Sequence, residues 1–181
     1  MHRKAGFTLI EVLVALTLGA ILVLAAHAAF GGAADVAGAL GRDRAAHDAE
    51  MAGRVWLVRA VGSLEPVSPG AVGFDGSPDH ARFSTRLRAA DGRFALTTVR
   101  LHAADGWLVA SPDSGSTLHL LAVSASSRPP VTFDYLLSTG ADSRWVQGWQ
   151  SPVSAPVAIR IRLVRVDGRA DTMLLSIGPR G

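Results

Sequence analysis

The sequence predicts an α+β protein, with a long N-terminal helix followed by a globular domain of antiparallel β-sheet. Three features carry that reading. An apolar run of membrane-spanning length begins at Phe7. Apolar residues then recur at helical spacing as far as Val58. Beyond Ala81 the period changes to two, in short segments parted by Asp-Gly pairs. The 181 residues suffice for one core domain with an appended element.

Met1 to Gly6 is short and polar and contains Arg3 and Lys4. The apolar run continues from Phe7 through His27 to Phe30. A helix rising about 1.5 Å per residue needs roughly 20 residues to cross a bilayer, which matches this run. Basic residues ahead of it predict a cytoplasmic N-terminus and an outward C-terminal domain. A secretory signal would have a shorter apolar core ending at a small-residue site, for which Ala26-His27-Ala28 could pass. A plain signal anchor accounts for Arg3, Lys4 and the hydropathy but leaves Glu11 unexplained.

Glu11 is the informative residue. A carboxylate within a membrane helix costs several kcal/mol unless it meets a partner or a polar environment. If the chain is cut between Gly6 and Phe7, the new α-amino group lies four residues before Glu11. A cation from a neighbouring subunit beside Glu11, in low dielectric, would then count for more than a surface pair. The alternative is a glutamate at the membrane face whose head reaches the lipid headgroups.

Gly31-Gly32 closes the apolar run and is the expected bend. After it, Val36, Leu40, His47, Met51, Val55 and Val58 fall three, four or seven apart, which predicts one apolar face lying across the sheet. Arg42, Asp43, Arg44, Asp48 and Glu50 occupy much of the other face. Residues 63–78, with Pro66, Pro69, Gly70 and Gly73, read as a loop. In the β-rich part, Phe83, Thr85 and Leu87 alternate with polar residues. Residues 96–102 and 107–110 predict a hairpin about Asp105-Gly106, and 157–166 with 172–177 another about Asp167-Gly168. Asp91-Gly92 is a third turn signal, and 118–123 and 131–137 are further strands. Sequential hairpins predict a meander-rich sheet, with no βαβ unit.

Composition narrows the function. The net charge is +3, but the basic residues are nearly all Arg, spread between Asp and Glu with Lys4 the only lysine. Nucleic-acid binding needs clustered charge that neutralises several phosphates together, so no nucleic-acid partner is expected. Without cysteine there is no disulfide, thiolate metal site or Cys nucleophile. No Walker-type loop, His-Glu-x-x-His motif or Gly-x-Ser-x-Gly elbow occurs, and the six histidines lack metal-ligand spacing. The expectation is a non-enzymatic protein without cofactor or metal. One fragment, Asp75-Gly76-Ser77-Pro78-Asp79, sets Asp75, Ser77 and Asp79 as alternate oxygen donors that could begin a calcium loop. No bidentate Glu follows, and the same residues suit an ordinary turn. Trp145 and Trp149, four apart in a polar stretch, are either partner-facing anchors or packing against a sheet edge.

Lys4-Ala5-Gly6-Phe7-Thr8-Leu9-Ile10-Glu11-Val12-Leu13 closely resembles the leader and N-terminal helix of type IV pilins and type II secretion pseudopilins. Val131 to Leu136, Trp145, Trp149 and the Pro156-led strand to Leu163 are similar to the end of the minor pseudopilins of the protein J group. The resemblance implies a pilin-like fold. It implies prepilin-peptidase cleavage between Gly6 and Phe7, N-methylation of Phe7, and a role for Glu11 in subunit register during assembly. It divides the chain into a leader at 1–6, the transmembrane and assembly half of the helix at 7–30, an amphipathic half packing on the sheet at 31–62, and a periplasmic β-rich domain at 63–181. It further implies a single-pass inner-membrane protein in the pseudopilus tip, with minor pseudopilins I, K and H, the major pseudopilin and prepilin peptidase as partners. A minor pilin of a type IV pilus and a signal-anchored periplasmic binding domain are the rival readings.

Overall fold

The computed structural model describes residues 9–88, 92–113, 115–139 and 142–178, and within the helix it leaves aside the side chains at 28, 29 and 31–37. Gly6, Phe7, Asp91 and the side chain of Val36 therefore lie outside the described residues. The chain forms two compact units, Met1–His47 and Asp48–Gly181, and one helix, α1 (Leu9–Gly62), runs through both. Helix is assigned through Gly31-Gly32 without interruption. In the first unit, the apolar side chains from Leu9 to Leu24 are exposed on every side of the helix.

Among its described residues the second unit contains ten strands: β1 (Phe74–Gly76), β2 (His80–Arg88), β3 (Phe94–Ala104), β4 (Trp107–Pro112), β5 (Leu118–Ala122), β6 (Val131–Thr139), β7 (Asp142–Val146), β8 (Trp149–Ser151), β9 (Ala158–Val164) and β10 (Ala170–Ser176). They form two antiparallel sheets, ordered β5-β4-β3-β2-β1-β8 and β10-β9-β6-β7. The expected meander-rich sheet is thus two sheets. The first does meander from β1 to β5, but β8 returns to pair with β1, a non-local pairing that no turn signal marks.

Period-two alternation works as expected where strands are long. Phe133, Tyr135, Ile159 and Ile161 point inward from β6 and β9, meeting Phe74, Phe83, Val99 and Leu101 of the larger sheet and Leu57 and Val61 of the helix. Phe74 stacks near-parallel with Phe83 at 6.3 Å and meets Tyr135 edge-on at 5.3 Å. The β3–β4 hairpin turns at Asp105 (φ 50°) and Gly106 (φ 77°), a left-handed pair that suits the right-handed strand twist. Gly168 (φ 82°) closes the β9–β10 loop, where Gly168 N–H donates to Arg165 O at 2.9 Å.

Three further expectations are corrected. Met51, Val55 and Val58, expected to lie on the sheet, are exposed, as is Leu40. The buried helix face is instead Gly53, Leu57, Ala60 and Val61, with Glu50 and Arg54 partly buried on the same side. The reason is close approach: a Cβ on Gly53 would overlap the Leu120 carbonyl oxygen of β5. Small residues bring the backbone onto the sheet, and hydropathy does not weight them. Second, β1 lies within the expected loop at 63–78 and pairs on both sides, too short for any period to register. Third, the Trp-bearing stretch is two strands, β7 and β8, which belong to different sheets.

Candidate functional site

At the N-terminus, Leu9–His27 is long and apolar enough to cross a membrane. A signal sequence meets the same test, and so does a core helix. Exposure of these side chains within the chain argues against the core helix, because a helix apolar all round needs lipid or other helices about it. Glu11 is the acidic residue of its first turn and is exposed there. Thr17 turns its hydroxyl inward and donates to Val14 O at 2.9 Å, which hides a polar group within the helix itself.

In the second unit an ionic clasp joins the helix to the β9–β10 hairpin. Arg165 donates to both carboxylate oxygens of Glu50, at 2.5 and 2.6 Å. Arg54 donates to Glu50 at 3.1 Å and also to Asp171. The Arg165 hydrogen bonds, with those of Arg54, overcome the effect of burial and hold the Glu50 carboxyl at about 2. Sequence spacing shows the Glu50–Arg54 pair, four apart, but not the hairpin residues that complete the network.

Asp75, Ser77 and Asp79 are brought together in the tight β1–β2 turn. Ser77 N–H donates to His80 O at 2.9 Å, closing it. Gln150 Nε2 donates to Asp75 Oδ1 at 2.7 Å, the Ser77 hydroxyl donates to Asp79, and His80 Nδ1 lies 3.0 Å from Asp79 Oδ1. The Ser77 hydroxyl, followed by His80, holds the Asp79 carboxyl below its ordinary value. The three oxygen donors are thus engaged by neighbours within the fold. Among the described residues no group of three or more His, Cys, Asp or Glu is arranged to hold a metal ion.

The two tryptophans separate. Trp149 on β8 packs against the core, and its Nε1–H is buried without a hydrogen-bond partner. Trp145 on β7 stays 37% exposed, and the Arg160 guanidinium lies over its ring at 4.3 Å. Arg160 Nε donates to Asp134 at 2.9 Å and Arg162 Nη2 at 3.1 Å, so one buried carboxylate holds two arginines. These three residues were not picked out from the sequence. The alternation Ala158-Ile159-Arg160-Ile161-Arg162 does put both arginines on the outer face of a strand, but only register brings Asp134 between them.

The prokaryotic N-terminal methylation motif matches residues 1–26. No curated protein matches the chain. Among solved structures, a chain in the crystal structure of the GspK-GspI-GspJ complex from the enterotoxigenic Escherichia coli Type 2 Secretion System is similar in fold. Its TM-score is 0.54 at 18% identity, and the match covers 74% of this chain and 98% of that one.

Proposed function

We propose that this chain, which carries the prokaryotic N-terminal methylation motif ahead of a pseudopilin-type fold, is a minor pseudopilin of the type II secretion system, similar to protein J. The observation that carries the proposal is a conjunction. A methylation motif in the first 26 residues precedes a β unit whose fold matches a chain of a type II secretion complex. Either alone is less specific: the motif occurs across pilins, and a fold by itself does not fix a function.

The precursor sits in the inner membrane with residues 1–6 in the cytoplasm and its β-rich domain in the periplasm. Prepilin peptidase cuts between Gly6 and Phe7, and the Phe7 amine is methylated. The helix from Phe7 to Phe30 then leaves lipid for the company of other such helices. Its apolar surface makes that exchange at modest cost, because lipid and helix are similarly apolar. The extraction cost falls on Glu11 and the new amine, and pairing between subunits lowers it. In this role the chain is a structural subunit that starts assembly at the tip with the minor subunits I, K and H, beneath which the major pseudopilin adds.

Deletion of the gene in the native host tests this reading. The expected result is exported enzymes retained in the periplasm with surface pili intact. Normal export with lost pili would move the chain to a type IV pilus, and normal export with intact pili would remove the assembly role.

A further inference from the structure

We propose that the outer face of the four-stranded sheet docks an acidic segment of a neighbouring protein subunit, whose carboxylate is received by Arg160 and Arg162 beside Trp145. The partner's class rests on the assembly reading above; the location and the chemistry come from this face.

Register places the residues. Arg160 stands opposite Asp134 on one side and Leu174 on the other, and Arg162 stands opposite Thr172. Trp145 stands opposite Leu136 on β7, the edge strand. Among the described residues of the outward-facing positions on these four strands, Asp134 is the only acid. Its side chain is 5% exposed beneath arginines that are 32% and 48% exposed. Two positive charges therefore share one negative charge, and the excess faces solvent.

The donors are also unspent. Arg160 reaches Asp134 through Nε, a bond that uses neither of its Nη groups, and Arg162 reaches it through Nη2. Each fork is fixed in place, one by the carboxylate and the Trp145 ring, the other by the same carboxylate. A fixed guanidinium loses little entropy on binding and matches a carboxylate through two parallel hydrogen bonds. Leu174, 62% exposed, supplies apolar surface at one side and Trp145 at the other. Aromatic and Arg anchors with an apolar surround are the composition of interface hot spots. An anionic membrane would instead be met by several mobile cations close together, and this face has two that are held down.

The experiment places a photo-crosslinking residue at exposed Thr172 in the full chain, co-produced in membranes with the other minor subunits of its own system. The expected result is one discrete protein adduct, mapped to a peptide containing Asp or Glu. It should fall at least tenfold with Arg162→Glu, and equally with Leu174→Asp, which keeps Asp134, Arg160 and Arg162 but sets a competing carboxylate opposite Arg160. Adducts to lipid alone, an adduct no stronger than from the same probe at Ser116, or one unchanged in both variants would overturn the proposal. The N-terminal mass of the same sample separates the two claims. Methylated Phe7 without a Thr172 adduct overturns this surface alone, whereas an adduct on a chain with unmethylated Phe7 overturns the assembly reading alone.

Discussion

Arg165 holds both carboxylate oxygens of Glu50, at 2.5 and 2.6 Å, across 115 residues of sequence. The pair fixes the helix, which enters the second unit at Asp48, to the loop of the last hairpin. Because Glu50 is held at about 2 against an ordinary 4.5, its contribution is fully present above pH 4.5 and is lost as pH falls through about 2. Arg165→Ala should lower stability at pH 7 by on the order of 2 kcal/mol, allowing for partial exposure. The variant should also show a shallower loss between those pH values. Denaturant unfolding followed by tryptophan fluorescence at several pH values checks both; parallel pH profiles for the two proteins would contradict it.

Gly53→Ala tests the close approach of helix and sheet. Alanine ordinarily stabilises a helix by about 1 kcal/mol relative to glycine. Here the added methyl would meet the Leu120 backbone, which cannot rotate aside. The expected change is a net loss above about 2 kcal/mol. Gly41→Ala, with open space around it, should be neutral or stabilising in the same thermal unfolding series.

Tyr135 joins the two sheets through its hydroxyl, which lies 2.8 Å from Ser77 O and 2.6 Å from His80 O in the β1–β2 turn. Burial pushes its phenol well above the ordinary value, so the group stays a donor at any pH the protein meets. Tyr135→Phe keeps the edge contact with Phe74 but leaves two carbonyls without this donor. A loss of about 1–2 kcal/mol follows, with faster amide exchange concentrated at residues 76–81. Uniform exchange across the unit would argue for a different role.

The sequence was most readable where one period dominates a long segment. Residues 96–110 and 157–177 gave their hairpins because Asp105-Gly106 and Asp167-Gly168 sit between alternating runs. It was least readable where contact is non-local. β1 and β8 have three residues each; β1 is held between β2 and β8, and β8 exists through its pairing with β1. The helix face was misjudged because Val55 and Val58 outrank Gly53 and Ala60 in hydropathy, while packing on the sheet selects small size. For the candidate surface, Trp145 was visible as a residue type. Its setting was not, because Asp134, Arg160 and Arg162 meet only through the register of β6 with β9.

Glu11→Ala should insert and be processed normally yet assemble poorly, since the change removes the acid and not the apolar run. Pseudopili sheared from cells that overproduce the major subunit provide the measure, with at least a tenfold drop expected. Undiminished assembly would show that the charge is dispensable.

Gly6 and Phe7 carry the central claim, and the mass of the N-terminal peptide from protein isolated from its native host reads it directly. The account predicts a chain beginning at Phe7 with one methyl group on its amine, and precursor accumulation in Gly6→Leu. A functional protein that still begins at Met1, or one cut after Ala28, would contradict it.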